Sequence, residues 1–308
     1  MNNIERYVER IMAESTPDKP LWNIEKIKEG KINGWNYIDG CMMIALLNMH
    51  KITGQKRYYD FAENFLDYYV FEDGTIRGFK EEDYNLDNIC EGRVLFDVYA
   101  LSGKEKYRKA IDTLYGQILR QPRTQEGNFW HKAIYPNQVW LDGLYMAQVF
   151  YSRYTTDFEG GKNYEDIRRQ FRTVREKMFD PATGLYRHGY DASHTAFWAG
   201  EDGRSKNPWL RSLGWFSASL IDVTAEIAPG HDDFYNDMKT IAADRRRILT
   251  SPSPSLGYLS KLDQYTSEIS DIAAGRSAVA FSRKDYTIIP KFKGDEGHDA
   301  IYRPLCVY

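Results

Sequence analysis

Residues 38–69, IDGCMMIALLNMHKITGQKRYYDFAENFLDYY, decide the fold because they describe two helices joined by a tight turn. In residues 38–51 apolar side chains recur at the i, i+3, i+4 spacing of one helix face, and residues 56–69 repeat that spacing. The first stripe holds Cys41, Met42, Ala45, Leu46 and Met49, and the second holds Tyr59, Phe61, Phe65 and Tyr68. Gly54 in the turn ends the first helix. The stretch therefore predicts an antiparallel helical hairpin.

The same hairpin pattern returns along the chain. The turn SGKEK, which resembles KITGQK, joins a helix over residues 88–101 to one that ends near residue 119. Two further helix pairs are predicted, at residues 140–154 with 164–178 and at residues 209–227 with 231–248. Short turns at one end, longer loops at the other and a period of about 50 residues predict a ring of hairpins. We therefore expect an all-α fold, an (α/α) barrel, that forms a single domain over residues 1–308.

Residues 250–308 do not continue this pattern, because they contain no sustained apolar stripe. Strand signals elsewhere are confined to short stretches such as residues 184–188. We expect the C-terminal segment, residues 250–308, to be atypical and the barrel to be incomplete or altered there.

The bulk composition excludes several classes of function. A net charge of −3 and a pI near 6.1 provide no electrostatic reason to expect binding to nucleic acid or to an anionic membrane. The three cysteines, Cys41, Cys90 and Cys306, lack the spacing of a zinc site and are expected to be thiols in a reducing compartment. No signal peptide or membrane span is evident. We expect a cytoplasmic monomer or homodimer without a metal or a cofactor.

Residues capable of catalysis are concentrated in the loops between hairpins, each at or just before a helix start. The motifs are YNLDN with Asp87, FWHK with His131 and Lys132, QVWLDG with Asp142, YRHGYD with His188, and PWLRSLGW with Trp209 and Arg211. If these helices line a barrel, their N-termini share one rim. Residues far apart in the chain then meet in one cavity.

The ordered set of motifs resembles glycoside hydrolase family 105, the unsaturated rhamnogalacturonyl hydrolases, which are related to the family 88 unsaturated glucuronyl hydrolases. The resemblance covers roughly residues 35–227, with the motifs in the same order and at similar spacing. It implies an (α/α)6 barrel. It also implies that the substrate is an unsaturated uronic-acid oligosaccharide produced by a polysaccharide lyase.

The resemblance implies a role for each motif residue. Asp142 corresponds to the family's general acid/base and Asp87 to its second active-site carboxylate. The residues expected around the unsaturated sugar are His131, Lys132, His188, Trp209 and Arg211, with Tyr37 of WNYIDG as a further site tyrosine.

The reaction implied by the resemblance is hydration of an enol ether rather than displacement at the anomeric carbon. A general acid protonates C4 of the unsaturated uronic acid, water adds at C5, and the hemiketal opens and releases the neighbouring sugar. A positioned acid/base group typically contributes about 10²–10⁴-fold to such a step. The substrate carboxylate needs a cationic partner, for which Arg211, Lys132 and a histidine are candidates.

The position of the two aspartates at helix starts conflicts with general-acid chemistry. A helix N-terminus favours the anion, whereas a general acid must carry its proton. Burial against Trp140 or a second carboxylate nearby would favour the protonated form, and two close carboxyls titrate as a pair. We therefore expect Asp87 to lie near Asp142.

Structural roles compete with these functional ones. Asp87 and Asp142 are both suitable N-cap residues, since Asp is among the preferred caps. His131 and His188 could be structural histidines held by hydrogen bonds. Trp215 in the same helix start as Trp209 is expected to lie in the core.

Three other functions remain open. An unsaturated glucuronyl hydrolase that acts on glycosaminoglycan oligosaccharides would use the same chemistry on a different leaving sugar. A sugar epimerase on the same type of barrel would use His131 and His188 as opposed bases. An inactive, truncated family member would follow from the atypical segment 250–308.

Overall fold

Helical hairpins follow one another along residues 37–243 of the computed structural model, which describes residues 3–244. The first helices of the pairs are α3 (Tyr37–Thr53), α6 (Arg93–Ser102), α9 (Val149–Glu159) and α11 (Leu210–Ile227). Their antiparallel partners are α4 (Lys56–Tyr69), α7 (Glu105–Arg120), α10 (Tyr164–Met178) and α12 (Asp232–Ala243). These pairs lie where the sequence predicts hairpins.

Shorter elements complete the described chain. Helices α1 (Asn3–Ala13) and α2 (Ile24–Lys28) precede the first hairpin, α5 (Asp87–Cys90) precedes α6, and α8 (Leu141–Gly143) precedes α9. A π-helical turn, Leu144–Gln148, joins α8 to α9, and 3₁₀ turns lie at Leu21–Asn23 and Glu81–Asp83. The strands are β1 (Gln138–Trp140), β2 (Phe179–Asp180), β3 (Leu185–Tyr186) and β4 (Gly189–Asp191).

The ends of the hairpin helices follow from local chemistry. Asn36 caps α3 because its side-chain oxygen accepts hydrogen bonds from the backbone N–H groups of Ile38 and Asp39. Gly54 and Gly103 end α3 and α6 in the left-handed conformation that glycine adopts without strain. The two turns that resemble each other in sequence therefore end their helices in the same way.

The first helices of the hairpins form the inner layer. α3 packs against α6, and α9 packs against α11. Arg93 at the start of α6 reaches α11, where its guanidinium lies 2.7 Å from the Asp222 carboxylate. Apolar side chains of both layers join in one buried core.

Two predicted helices are interrupted, and both interruptions lie beside the chemistry-bearing loops. The predicted helix 88–101 divides at Glu91 and Gly92 into α5 and α6. A Cβ on Gly92 would lie 2.2 Å from a methyl carbon of Leu114 and 3.0 Å from the Phe150 ring, so a larger residue would force these side chains to move. The predicted helix 140–154 begins with α8 and the π-helical turn, and α9 continues it to Glu159.

The strands form two short antiparallel ribbons. β2 pairs with β3, which lies in the predicted strand stretch 184–188, and β1 pairs with β4 with Trp140 opposite Gly189. The architecture of residues 3–244 is thus dominated by helices, as predicted. No helix within that range is both long and apolar enough to cross a membrane. The atypical segment 250–308 lies outside the described residues.

Candidate active site at the helix starts

The β1–β4 ribbon brings Asp142 and His188 together. The ribbon places Trp140 opposite Gly189, and the N–H of Leu141 donates to the carbonyl of His188 over 3.1 Å. Asp142 follows in α8, and its Oδ2 lies 3.0 Å from Nε2 of His188. The Asp142 side chain is 12% exposed, so the carboxyl is largely withdrawn from water. This pair forms because the ribbon sets the register of two loops from different hairpins.

Asp87 begins α5 and has two cationic or potentially cationic neighbours. Its Oδ2 lies 2.7 Å from Nζ of Lys132, and its Oδ1 lies 3.3 Å from Nε2 of His131. The N–H of Leu86 donates to the carbonyl of His131 and fixes the two loops side by side. Burial would raise the pKa of Asp87, but His131 and Lys132 outweigh it and hold that pKa well below its ordinary value. Asp87 is therefore an anion throughout the neutral range.

The Tyr37 hydroxyl is influenced by the charges of both aspartates. Burial is the main reason why the pKa of the Tyr37 hydroxyl is raised, and the positive charge of Arg211 opposes it. The negative charges of Asp87 and Asp142 raise that pKa further. The Tyr37 side chain thus lies within electrostatic reach of both carboxylates and of Arg211. The four residues belong to one cluster at the N-terminal ends of α3, α5, α8 and α11.

Aromatic rings line one side of this cluster. The His188 ring lies 4.5 Å from the Trp140 ring and 4.7 Å from the Trp209 ring, both edge to face. The Arg211 guanidinium lies 3.8 Å from the centre of the Trp209 ring, which is 41% exposed. Trp198 extends the group, with its ring 5.2 Å from Trp140. Flat faces beside a carboxylate and a guanidinium suit a sugar that carries an acid group.

All eight residues predicted for the site are brought together by these contacts. The N-cap positions of α5 and α8 are occupied by Leu86 and Trp140, so the alternative that Asp87 and Asp142 cap these helices is wrong. Trp215 is 7% exposed with its ring 4.5 Å from that of Tyr145, which confirms its predicted place in the core.

Other residues near the site were not found from the sequence. Trp198 lies in a polar loop and carries no periodic signal, although a tryptophan in such a loop could have drawn notice. Asp39 and Glu91 are fully buried acids in the first turn of α3 and just after α5. Their positions resemble ordinary helix residues in sequence. Only the folded structure shows that both side chains are enclosed.

The described part of the chain contains no group of three or more His, Cys, Asp or Glu side chains placed to hold a metal ion. The cluster instead combines two carboxylates, two imidazoles, a guanidinium, an ammonium group and tryptophan faces. Such a set can exchange protons with a ligand and bind its acid group.

Residues 3–256 match the family model described as Glycosyl Hydrolase Family 88. Among curated proteins, the chain is similar to the unsaturated rhamnogalacturonyl hydrolase YesR of Bacillus subtilis (strain 168). The two are 23% identical over 206 residues, which cover 65% of this chain and 56% of YesR.

Among solved structures, the fold resembles a glycoside hydrolase from family 105 of C. acetobutylicum ATCC 824, with a TM-score of 0.69 and 37% identity. That match covers 74% of this chain and 64% of the other. A possible family 105 member from Klebsiella pneumoniae has a TM-score of 0.60 at 16% identity, over 78% of this chain and 68% of that one. These likenesses confirm the predicted (α/α)6 barrel class and the predicted family resemblance. The chain spans less than two thirds of the length of YesR and of the family 105 structure.

Proposed function

Because the chain belongs to Glycosyl Hydrolase Family 88, we propose that it is a glycoside hydrolase of the family 88/105 type that hydrates an unsaturated uronic acid. The proposed substrate is a rhamnogalacturonan oligosaccharide left by a lyase, with a 4,5-unsaturated galacturonic acid at its end. One observation carries the proposal: Asp142 hydrogen-bonds His188 in the same cluster in which Asp87 is held as an anion by Lys132. The two carboxyl groups therefore have different environments.

That difference assigns the proton-transfer role. Asp87 is held ionised by His131 and Lys132 and cannot donate a proton near neutral pH. Asp142 faces His188, which can exchange a proton with it over 3.0 Å. We assign the general acid/base to Asp142. The fixed negative charge of Asp87 would stabilise the positive charge that develops at C5 and the ring oxygen.

The chemical steps follow from the substrate. The Asp142 proton adds to C4, which places a positive charge on C5 and the ring oxygen. Water adds to C5 and loses a proton to the Asp142 carboxylate, which restores the acid. The hemiketal formed at C5 opens to a ketone, and the hemiacetal left at C1 releases the neighbouring sugar with its hydroxyl group.

Arg211 is the candidate partner for the substrate carboxylate. Lys132 is already engaged with Asp87, whereas the Arg211 guanidinium lies over the exposed Trp209 ring. A guanidinium can bind a carboxylate through two parallel hydrogen bonds. The sugar ring would then lie on the tryptophan face beside Asp142.

The direct test is incubation with lyase-generated unsaturated rhamnogalacturonan disaccharide, following loss of the ultraviolet absorbance of the conjugated acid. We expect the wild-type protein to hydrate the double bond and so abolish that absorbance. Asp142→Asn is expected to lose about 10²–10⁴-fold in kcat, since it removes the group that transfers the proton. Asp60→Asn is the matched control, because Asp60 is exposed on α4 and paired with Lys56. Equal activity of wild type and Asp142→Asn would refute the mechanism.

The same assay separates the competing functions. Faster turnover of an unsaturated disaccharide whose leaving sugar is an amino sugar would identify a glucuronyl hydrolase. Interconversion of isomers without loss of absorbance would identify an epimerase. A folded protein that turns over none of these compounds would be an inactive family member.

A further inference from the structure

A small cavity adjoins the His131 ring at the base of the candidate site. The space that the centre of a water molecule can occupy there is about 10 Å³, which is close to the minimum for one water. Gln148 from the π-helical turn and Gln170 from α10 contribute to its lining, together with Gly143 of α8. The cavity is therefore too small for a sugar or a cofactor.

Three polar atoms of the residues that line this cavity have no hydrogen-bond partner within the described part of the chain. They are Nδ1 of His131, Oε1 of Gln148 and Nε2 of Gln170. The residues are 7%, 1% and 2% exposed, respectively. A buried polar atom that has lost its contact with water destabilises the folded state unless it finds a partner. Three such atoms, all on residues that line one water-sized space, point to a shared partner.

The hydrogen-bonding roles of these atoms are set by their neighbours. The anionic Asp87 can only accept, so Nε2 of His131, 3.3 Å away, carries a hydrogen; in the neutral tautomer that has its hydrogen on Nε2, Nδ1 is an acceptor. Oε1 of Gln170 accepts the backbone N–H of Phe129 over 3.1 Å, which leaves Nε2 of Gln170 as a donor. Gln148 presents an amide oxygen, which is an acceptor. The residues that line the cavity thus offer one donor and two acceptors.

We propose that a single buried water occupies this cavity, donates to Nδ1 of His131 and to Oε1 of Gln148, and accepts from Nε2 of Gln170. A water has two hydrogens to donate and can accept at least one hydrogen bond, which matches the three roles. Gln148 and Gln170 are then positioning residues. Through the water they hold the neutral His131 ring with its Nε2–H directed at Asp87.

Gly143 supports the same arrangement. A Cβ at this position would lie 3.0 Å from Nδ1 of His131 and 3.2 Å from a methyl carbon of Leu86. An alanine would therefore crowd the ring nitrogen to which the water donates. The π-helical turn that follows carries Gln148, and such turns often occur beside functional sites.

Nitrogen-15 NMR of histidine-labelled protein tests this site without any turnover. The His131 signals are assigned by their loss in His131→Asn. In the neutral ring we expect Nε2 to be protonated and Nδ1 to be an unprotonated nitrogen that accepts a hydrogen bond. Gln148→Leu and Gly143→Ala should both shift the Nδ1 signal toward that of a nitrogen without a hydrogen bond. The control Thr224→Val should leave it in place, because Thr224 is buried in α11 and its hydroxyl donates to the backbone carbonyl of Leu220.

A protonated Nδ1 in the wild-type protein, or an Nδ1 signal that neither variant moves, would overturn the proposal. If neither variant folds, a high-resolution crystal structure of the wild-type protein decides. It should show a solvent peak within hydrogen-bond distance of all three atoms, and an empty cavity would refute the proposal.

The consequence for catalysis rests on the proposed function. Loss of one hydrogen bond that orients His131 should lower kcat/KM by about 10-fold in Gln148→Leu. The two proposals fail in different ways. Hydrolysis by a protein whose His131 Nδ1 is protonated would support the proposed function and refute the proposed water site. The expected His131 Nδ1 signal in a protein without hydrolase activity would support the water site and refute the proposed function.

Discussion

Asp87 and Glu91 lie four residues apart at the two ends of α5, yet their carboxyl groups behave in opposite ways. The Asp87 side chain is 17% exposed and Glu91 is fully buried. Burial would raise both pKa values, but the pKa of Asp87 is held well below its ordinary value, whereas that of Glu91 is raised well above it. Asp87 faces Lys132 and His131. Glu91 accepts one hydrogen bond from the backbone N–H of Asn36, over 2.6 Å, and lies near the acidic Asp39.

The comparison shows that the partner, not burial alone, decides the charge of an enclosed carboxyl group. At the rim, the Lys132 ammonium group and the hydrogen bond with His131 keep Asp87 ionised and available to a substrate. Beneath the rim, the partners of Asp39 are the neutral side chains of Trp22, Asn33 and Asn36, and the pKa of Asp39 is raised to about 6. The buried acids there join α3 to the α5–α6 junction, and both hold their proton more tightly than an ordinary carboxyl group does.

The largest effect is expected when the charge at the rim is removed. Asp87→Asn should lower kcat/KM by about 10²-fold or more, because the developing positive charge loses its anion. The value of kcat/KM is measured on the unsaturated disaccharide, with Asp60→Asn as control. Equal kcat/KM in the wild type and in Asp87→Asn would contradict this role for Asp87.

A smaller effect, on stability, is expected from Glu91. Glu91→Ala should lower the free energy of unfolding by about 3 kcal/mol, because it leaves a cavity and deprives the Asn36 N–H of its acceptor. Glu91→Gln keeps the shape and the acceptor without a charge and should cost about 1 kcal/mol or less. Urea unfolding at neutral pH measures both. If glutamine costs as much as alanine, Glu91 is charged in the folded protein and the contrast with Asp87 is lost.

The smallest effect is the pH dependence of stability contributed by Asp39. Its pKa is raised from the ordinary value of 3.8 to about 6 in the folded protein, mainly by burial. The folded state therefore binds the Asp39 proton more tightly than the unfolded state does. The stability that Asp39 contributes is thus fully present below about pH 4 and is lost as pH rises through about 6. Between pH 4 and pH 7 the loss should be on the order of 2 kcal/mol.

Unfolding of wild type and Asp39→Asn between pH 4 and pH 7 isolates this contribution. The stability of the wild-type protein relative to the variant should fall across that interval. A difference that is constant with pH would mean that Asp39 is ionised at both ends, like Asp87.

The sequence predicted much of the helical framework because helix periodicity is local. α4 and α10 begin and end where predicted, and the Gly54 and Gly103 turns end their helices as expected. The predicted helices 88–101 and 140–154 were wrong in detail, because the close approach of Gly92 to Leu114 and the π-helical turn depend on neighbouring helices. The eight site residues were found through the family resemblance. Their contacts with one another were not predicted residue by residue.

Apolar spacing, turn glycines and the order of motifs by themselves determined the hairpins, the barrel class and the family of this protein. Tertiary structure alone decided which carboxyl groups carry charge. The hydrogen bond that Glu91 accepts comes from Asn36, 55 residues away in the chain, and the partner of Asp142 comes from His188, 46 residues away. A carboxyl group responds to the charges and hydrogen-bond donors within a few ångströms of it, and those neighbours are assembled only when the hairpins pack.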